Sequence, residues 1–381
     1  VKFQVNRDVF SEAVSFAVKL LPQRTTLPIL SGVLVEATDS TLTLSSFDYE
    51  VSARTEIAAE IEEPGRVLVS GRLLADIASR LPSAPVVFST EESRIAVSCG
   101  SAHFTLLSMP VEEYPNLPQI AASSGSLPAE AFANAVAQVA VAASRDDVTP
   151  VITGVQLEVS QSSLSLVATD RYRVAVREIE WMPGDELTDT VTALVPARTL
   201  TEIGKTFGHS GSISIAITNS DERELIAFSA DKRTVTSLLI KGNFPPVKRL
   251  FPESVENYAV INTAELIEAT RRVSLVLERE AALRFSFSTE GLTLEAVGSE
   301  QAQASETIDA FLTGVDTVVS LKPQFLLDGL GAVHSEFVRI SFTKTDNPNK
   351  PGPVLITSQS SKEQAGTDNY RYLLQPNLLL R

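Results

Sequence analysis

The chain has 381 residues, 44% of them hydrophobic, and a formal net charge of −15. That length exceeds one ordinary core and predicts two to three domains, and the apolar content excludes a disordered chain. The acidity, taken as a bulk number, argues against nucleic acid as a partner, although net charge says nothing of how charge is distributed.

No run of apolar residues is long enough for a membrane span. The opening "VKFQVNRDVF" lacks an apolar h-region, which predicts no secretory signal. A single cysteine, Cys99, forms no internal disulfide; it fits a reducing cytoplasm and a core position in the strand "RIAVSC". His103, His209 and His334 lie far apart, without metal-ligand spacing.

In chain order, "RDVFSEAVSFAVKLL" from Arg7 places apolar residues three and four apart, the period of an amphipathic helix. "GVLVEATDSTLTLSSFDYEVSAR" from Gly32 reads as strand, turn, strand, polar corner and strand. "SGRLLADIASRLP" from Ser70 is a second, shorter helix, and "RIAVSCGSAHFTLLSMP" closes the set with strands. After the Pro-rich connector "MPVEEYPNLPQIAASSGSLP" the order repeats. A helix runs from Ala129 to Ser144, strands follow in "GVQLEVSQSSLSLVATDRYRVAV", then a helix in "PARTLTEIGKTFG" and strands in "ELIAFSADKRTVTSLLI". A second connector, "KGNFPPVKRLFPESVENY", leads to a third round. This has the helix "NTAELIEATRRVSLVL", with Asn262 or Thr263 as N-cap, the strands "LRFSFSTEGLTLEAVGSEQAQAS", the helix "KPQFLLDGLGAVH" and the C-terminal strand "NYRYLLQP".

The leucine pairs Leu42/Leu44, Leu164/Leu166 and Leu292/Leu294 recur at nearly equal spacing, and Asp48, Asp170 and Gly298 share one offset from them. The reading is α+β: three tandem, structurally similar domains at 1–120, 121–248 and 249–381. Each has antiparallel sheets packed on one face by helices.

Catalytic signatures are lacking. There is no G-x-S-x-G, phosphate loop, dinucleotide fingerprint or H-E-x-x-H, and Gly71-Arg72 and Gly204-Lys205 are isolated. Asp48 and Asp170 are better read as corner residues that accept backbone hydrogen bonds than as an acid–base pair. The chain is therefore expected to be no enzyme and to need no cofactor or metal.

"LPIL" after the first helix, "ATDRYR" in the second repeat, "FPPVKRLFP" before the third and "YRYLLQP" near the C-terminus follow one another in an order that resembles the bacterial DNA polymerase III β subunit family, the sliding clamps. The resemblance implies a DNA clamp fold, a head-to-tail homodimer closed into a ring around duplex DNA, with sheets outside and helices lining the hole. It implies a cytoplasmic processivity factor, with no membrane partner. Through short linear motifs it would tether the DNA polymerase III α subunit, the clamp loader, other polymerases and repair proteins. Acidity and DNA are then compatible, because a weakly basic bore attracts phosphate without reading sequence. The residues expected to face DNA are Arg24, Arg72, Arg80, Arg198, Lys205, Arg271 and Arg272, with Lys19 and Lys322 also on the helices; the helix from Ala129 carries no basic residue.

The same resemblance places a partner-peptide pocket at Ile152, Thr169, Arg171, Tyr172, Arg173, Val174, Pro245, Arg249 and Leu250, completed by Phe325, Leu373, Gln375 and Pro376. Arg173 and Arg249 would cover apolar anchors with their stems and hydrogen-bond peptide carbonyls. Arg171 stands where the family often has glycine, Lys322 where it often has asparagine, and Gln375 and Asn377 where it usually has apolar residues. Phe104, Val273 and Leu275 fall at the implied dimer interface, although all three also suit a core. Two other classes compete: a three-repeat interaction scaffold that never encircles DNA, and a β-rich hydrolase with an unrecognised carboxylate pair.

Overall fold

The computed structural model describes residues 1–21, 25, 27–184, 189–219, 224–296, 302–346, 351–367 and 369–378. Arg24, Gly298 and the tail from residue 379 lie outside the described residues. The chain divides into two compact units. The first comprises Val1–Phe132, Trp181–Asp189 and Glu202–Leu239; the second comprises Ala133–Glu180, Thr190–Thr201 and Ile240–Arg381. The central repeat is thus shared between the two units.

The sheets explain that division. In the first unit a nine-stranded sheet runs, in spatial order, Met182–Pro183, Gly125–Pro128, Ser212–Asn219, Glu224–Ala230, Arg233–Leu238, Val51–Ala58, Thr41–Phe47, Gly32–Thr38 and Gly65–Ser70. Arg233–Leu238 of the second repeat pairs antiparallel with Val51–Ala58 of the first, with Thr236 opposite Ser52. Both side chains are buried and their hydroxyls hydrogen-bond each other, so the junction strands satisfy their polar groups inside the sheet. A five-stranded sheet ends on Arg94–Cys99 and then the edge strand Ala102–Leu107.

Helix α1 (Arg7–Lys19) covers this unit's core. The side chain of Asn6 caps it, accepting from the N–H groups of Asp8 (2.9 Å) and Val9 (3.1 Å). Its apolar stripe, Phe10, Ala13, Val14 and Ala17, packs on Leu42, Leu44 and Phe88, and Phe3 stacks on Phe88 with ring centroids 4.8 Å apart. Cys99 is buried in this core. Helix α2 (Gly71–Ser79) buries Leu74 and Ile77 there and leaves Arg72 in solvent. Helices α3 (Ala129–Ala140) and α4 (Ala197–Phe207) belong to the central repeat. Helix α3 stops four residues short of the expected Ser144: Ala142 and Ala143 donate to Val139 and Ala140 in tightened turns, and Ser144 N–H turns aside to the carbonyl of Ile152.

The second unit repeats the device. Its nine-stranded sheet runs Val191–Pro196, Gly154–Val159, Ser163–Thr169, Arg173–Glu180, Asn369–Leu374, Val354–Gln359, Phe337–Phe342, Asn257–Asn262 and Phe311–Thr313. Here Arg173–Glu180 of the second repeat pairs with Asn369–Leu374 of the third. A four-stranded sheet runs Ala304–Ile308, Gly291–Ala296, Leu283–Ser288 and Thr317–Leu321. Helix α5 (Thr263–Val273) is capped by Asn262, which accepts from Glu265 N–H at 3.0 Å; the Thr263 hydroxyl donates to Ser335 O instead. Helix α6 is Pro323–Gly331. Close packing fixes Gly329 in it, because a Cβ there would lie 2.7 Å from the Tyr372 ring.

Candidate functional site

The corner between Ser163–Thr169 and Arg173–Glu180 is built by Asp170. Its Oδ1 accepts from the N–H groups of Tyr172 (3.1 Å) and Arg173 (3.2 Å), and the Thr169 hydroxyl donates to Arg173 O at 2.6 Å. Asp48 does the same in the first repeat, accepting from Glu50 N–H (2.9 Å) and Val51 N–H (2.6 Å). The residue after each aspartate is left-handed, Tyr49 at φ 72° and Arg171 at φ 80°. Such a backbone suits glycine and strains other residues.

Beside this corner lies a cavity of about 590 Å³, entirely within the second unit. Ile152, Arg171, Tyr172, Arg173 and Phe325 line it, together with the loop after α3, from Ala143 to Thr149, and Gln324 and Asp328 of α6. The volume suits one or two large side chains of a ligand. The rings of Tyr172 and Phe325 stack with centroids 5.8 Å apart, and Tyr172 is 62% exposed, so an aromatic wall stands open to solvent.

Arg173 differs from its expected role. Its side chain is 9% exposed. Nε donates to Asp170 Oδ2 at 3.0 Å, Nη1 donates to Asp328 Oδ2 at 2.6 Å and to the Tyr372 hydroxyl at 3.1 Å, and Cζ sits 4.5 Å from the Phe325 ring centroid. Burial by itself opposes its charge, but Tyr372, Asp328 and Asp170 together raise its pKa above the ordinary arginine value. Burial also pushes the Tyr372 phenol up, against the opposing pull of Arg173. The guanidinium is therefore a strut that ties the corner to α6 and holds Phe325 in place, with these N–H groups already spent on internal acceptors.

The residues expected in one pocket fall into two groups. Strand alternation puts Arg173 on the face of α6 and Val174 on the opposite face. There Val174, Val167, Val176, Leu355 and Leu373 form an apolar cluster with Phe251, flanked by Phe244 and Val247 of the second connector. Thr169 and Ile152 are buried, at 2% and 7% exposure. Pro245 is half-buried, and Arg249 and Leu250 are exposed on the short turn Val247–Leu250. Gln375 is exposed; its N–H donates to Tyr172 O at 2.9 Å and its amide to Pro351 O at 3.2 Å, while Pro376 is buried. Lys322 pairs with Glu280 and lies 5.3 Å from the Phe325 ring centroid.

The loop "ASRDDVTP" and Asp328 were missed by sequence reasoning. The loop carries a usable signal, a polar run ending in Thr149-Pro150, with one residue between it and Ile152. Asp328 carries none, because its partner Arg173 is remote in sequence.

Of the cations expected to face DNA, Arg24 lies outside the described residues; Arg72, Arg80, Arg198, Lys205, Arg271 and Arg272 are exposed but unlike one another. Arg72, Arg80 and Arg198 make no ion pair among the described residues. Lys205 pairs with Glu202 at 3.7 Å, Arg271 with Glu268 at 2.9 Å, and Arg272 holds Glu306 through two bonds at 3.1 and 2.6 Å. Phe104 is 39% exposed on the edge strand Ala102–Leu107 and Leu275 is 82% exposed just after α5. Val273 is only 2% exposed, so its side chain already packs inside its own unit and offers a partner little area. Among the described residues no group of three or more His, Cys, Asp or Glu is placed to hold a metal, and no helix is long and apolar enough to cross a membrane.

Comparison with known proteins agrees with this architecture over the whole chain. The N-terminal, central and C-terminal domain models of the DNA polymerase III beta subunit match residues 1–118, 126–246 and 248–363. A beta sliding clamp from Streptomyces coelicolor is 46% identical over 377 residues, covering 99% of both chains. One from Micrococcus luteus is 44% identical over 312 residues, covering 82% of this chain and 100% of that one. The crystal structure of the Bacillus subtilis DNA polymerase sliding clamp superposes with a TM-score of 0.89 at 26% identity, covering 100% of this chain and 99% of that one. A hydrolase or a free-standing repeat scaffold is not favoured by matches of this length. With all three domain models matched in order, the chain belongs to the DNA polymerase III beta subunit family, the non-catalytic sliding clamps of DNA replication.

Proposed function

We propose that this chain, with domains at 1–120, 121–248 and 249–381, closes as a head-to-tail homodimer around duplex DNA in the cytoplasm. There it tethers the DNA polymerase III α subunit, the clamp loader and other polymerases and repair proteins by short peptide motifs. The observation that carries the partner site is the cavity at the Asp170 corner. An open aromatic wall, Tyr172 on Phe325, stands beside it, while the opposite face of the sheet holds a buried apolar cluster flanked by the half-buried Phe244 and Val247. An aromatic anchor of an extended peptide end matches the open wall and an aliphatic one the half-buried Phe244 and Val247 beside the cluster, and a few buried anchors carry most of the affinity in such interfaces.

Two unpaired strand edges support the dimer. Ala102–Leu107 ends the five-stranded sheet with Phe104 and Leu107 exposed, and Ala304–Ile308 ends the four-stranded one. Edges of this kind call for a partner strand or promote aggregation. Arg72, Arg80 and Arg198 supply phosphate contacts that carry no sequence information. The test is retention on DNA: loaded protein should stay on nicked circular DNA at high salt and leave when the circle is linearised. Equal loss from both substrates would refute a topological link.

A further inference from the structure

We propose that Arg171 makes this clamp selective for partner peptides bearing an acidic side chain or carboxylate next to their apolar anchors. The inference rests on the cavity at the Asp170 corner being the peptide site, and it adds the chemistry that ranks one peptide above another.

The first observation is strain. Arg171 holds φ 80°, a left-handed conformation that costs a non-glycine residue and costs glycine almost nothing. Tyr49 holds the same conformation at the Asp48 corner, so the strain marks the position as one that costs something, and the case for a ligand role rests on where the Arg171 side chain is placed. The second is placement. Arg171 is exposed at the lip, and its guanidinium is oriented across the cavity mouth by one neutral bond, from Nη2 to Thr149 Oγ1 at 3.1 Å. Thr149 and Arg171 belong to different segments that line the same cavity, so the bond aims the charge and leaves the remaining N–H donors for a ligand.

The third is charge accounting. Three carboxylates line the cavity, and none of them pairs with Arg171 among the described residues. Asp170 and Asp328 are bound to Arg173, and Asp146 Oδ1 accepts the N–H of Val148 at 3.0 Å. Arg171 has no acidic partner within ion-pair distance among the described residues. Arg145 lines the same mouth without an ion pair among the described residues, though Asp146 and Asp147 follow it directly in sequence and weaken its field. A planar, permanently charged fork held at a half-open lip is suited to a carboxylate.

The experiment uses fluorescence polarisation with the full-length chain and two peptides. Both carry the same aliphatic and aromatic anchors, and they differ by Asp or Asn beside them. Wild type should bind the Asp peptide about fivefold more tightly at low salt, near the upper end for an ion pair at a partly exposed site, and the margin should shrink as salt rises. Arg171→Gly, which relaxes the backbone, should abolish the margin between the two peptides, whatever it does to the affinity they share; Arg171→Lys should keep part of the margin. An equal preference for Asp in wild type and Arg171→Gly, or no preference in wild type, overturns the inference while the site itself stands. If neither peptide binds, or if Phe325→Ala leaves both affinities unchanged, the cavity is not the peptide site and both readings fall.

Discussion

Replacing Arg173 by leucine removes the strut of the corner and keeps most of its stem. In the native chain the guanidinium meets Asp170 at 3.0 Å, Asp328 at 2.6 Å and the Tyr372 hydroxyl at 3.1 Å. The two carboxylate side chains are only 12% and 18% exposed. Arg173→Leu leaves both charges without their counter-ion and with little water. Removing one member of a buried pair costs about 3–5 kcal/mol, and because both carboxylates keep some solvent contact the lower end, about 3 kcal/mol, applies. The triple variant Asp170→Asn, Arg173→Leu, Asp328→Asn removes the charges together. Asparagine at 170 keeps the Oδ1 cap of the corner, and asparagine at 328 keeps the acceptor for Gln324, so most of the loss should return. Native-state hydrogen exchange over Ser163–Thr169 and Asn369–Leu374 reads the local free energy directly. Unchanged exchange in Arg173→Leu, with a loss confined to peptide affinity, would refute the structural role and return Arg173 to the ligand.

Leu275→Arg should convert the proposed homodimer to monomer in light scattering at micromolar concentration with the circular dichroism spectrum unchanged; a persistent dimer counts against Leu275 in the interface. Arg72→Glu should weaken direct DNA contact and lower the slope of log K against log salt by about one, whereas an unchanged slope places Arg72 away from phosphate. Burial pushes the Tyr114 phenol up to about 12. The unfolded phenol titrates near about 10, so above that pH the unfolded state holds fewer protons and the stability due to Tyr114 falls as pH rises toward the folded value. Urea unfolding across that range should show a shallower decline in Tyr114→Phe, and identical slopes would refute the assignment.

Residue patterns determined much of this protein. Period-two alternation marked the strands, the recurring leucine pairs marked the three repeats, and the aspartates at one offset marked two corners that the structure builds in the same way. Local chemistry also narrowed the α5 cap to Asn262 or Thr263, and tertiary contact chose between them, because Ser335 O takes the Thr263 hydroxyl. The role of Arg173 depended on Asp328 and Tyr372, which approach it only when α6 and the last strand are in place. What tertiary structure alone decided was how the repeats join. Val51–Ala58 accepts Arg233–Leu238 and Arg173–Glu180 accepts Asn369–Leu374, each across a repeat boundary. Strand edges pair through backbone N–H and C=O groups that nearly every residue carries, so side-chain patterns show that an edge exists without showing which strand will meet it.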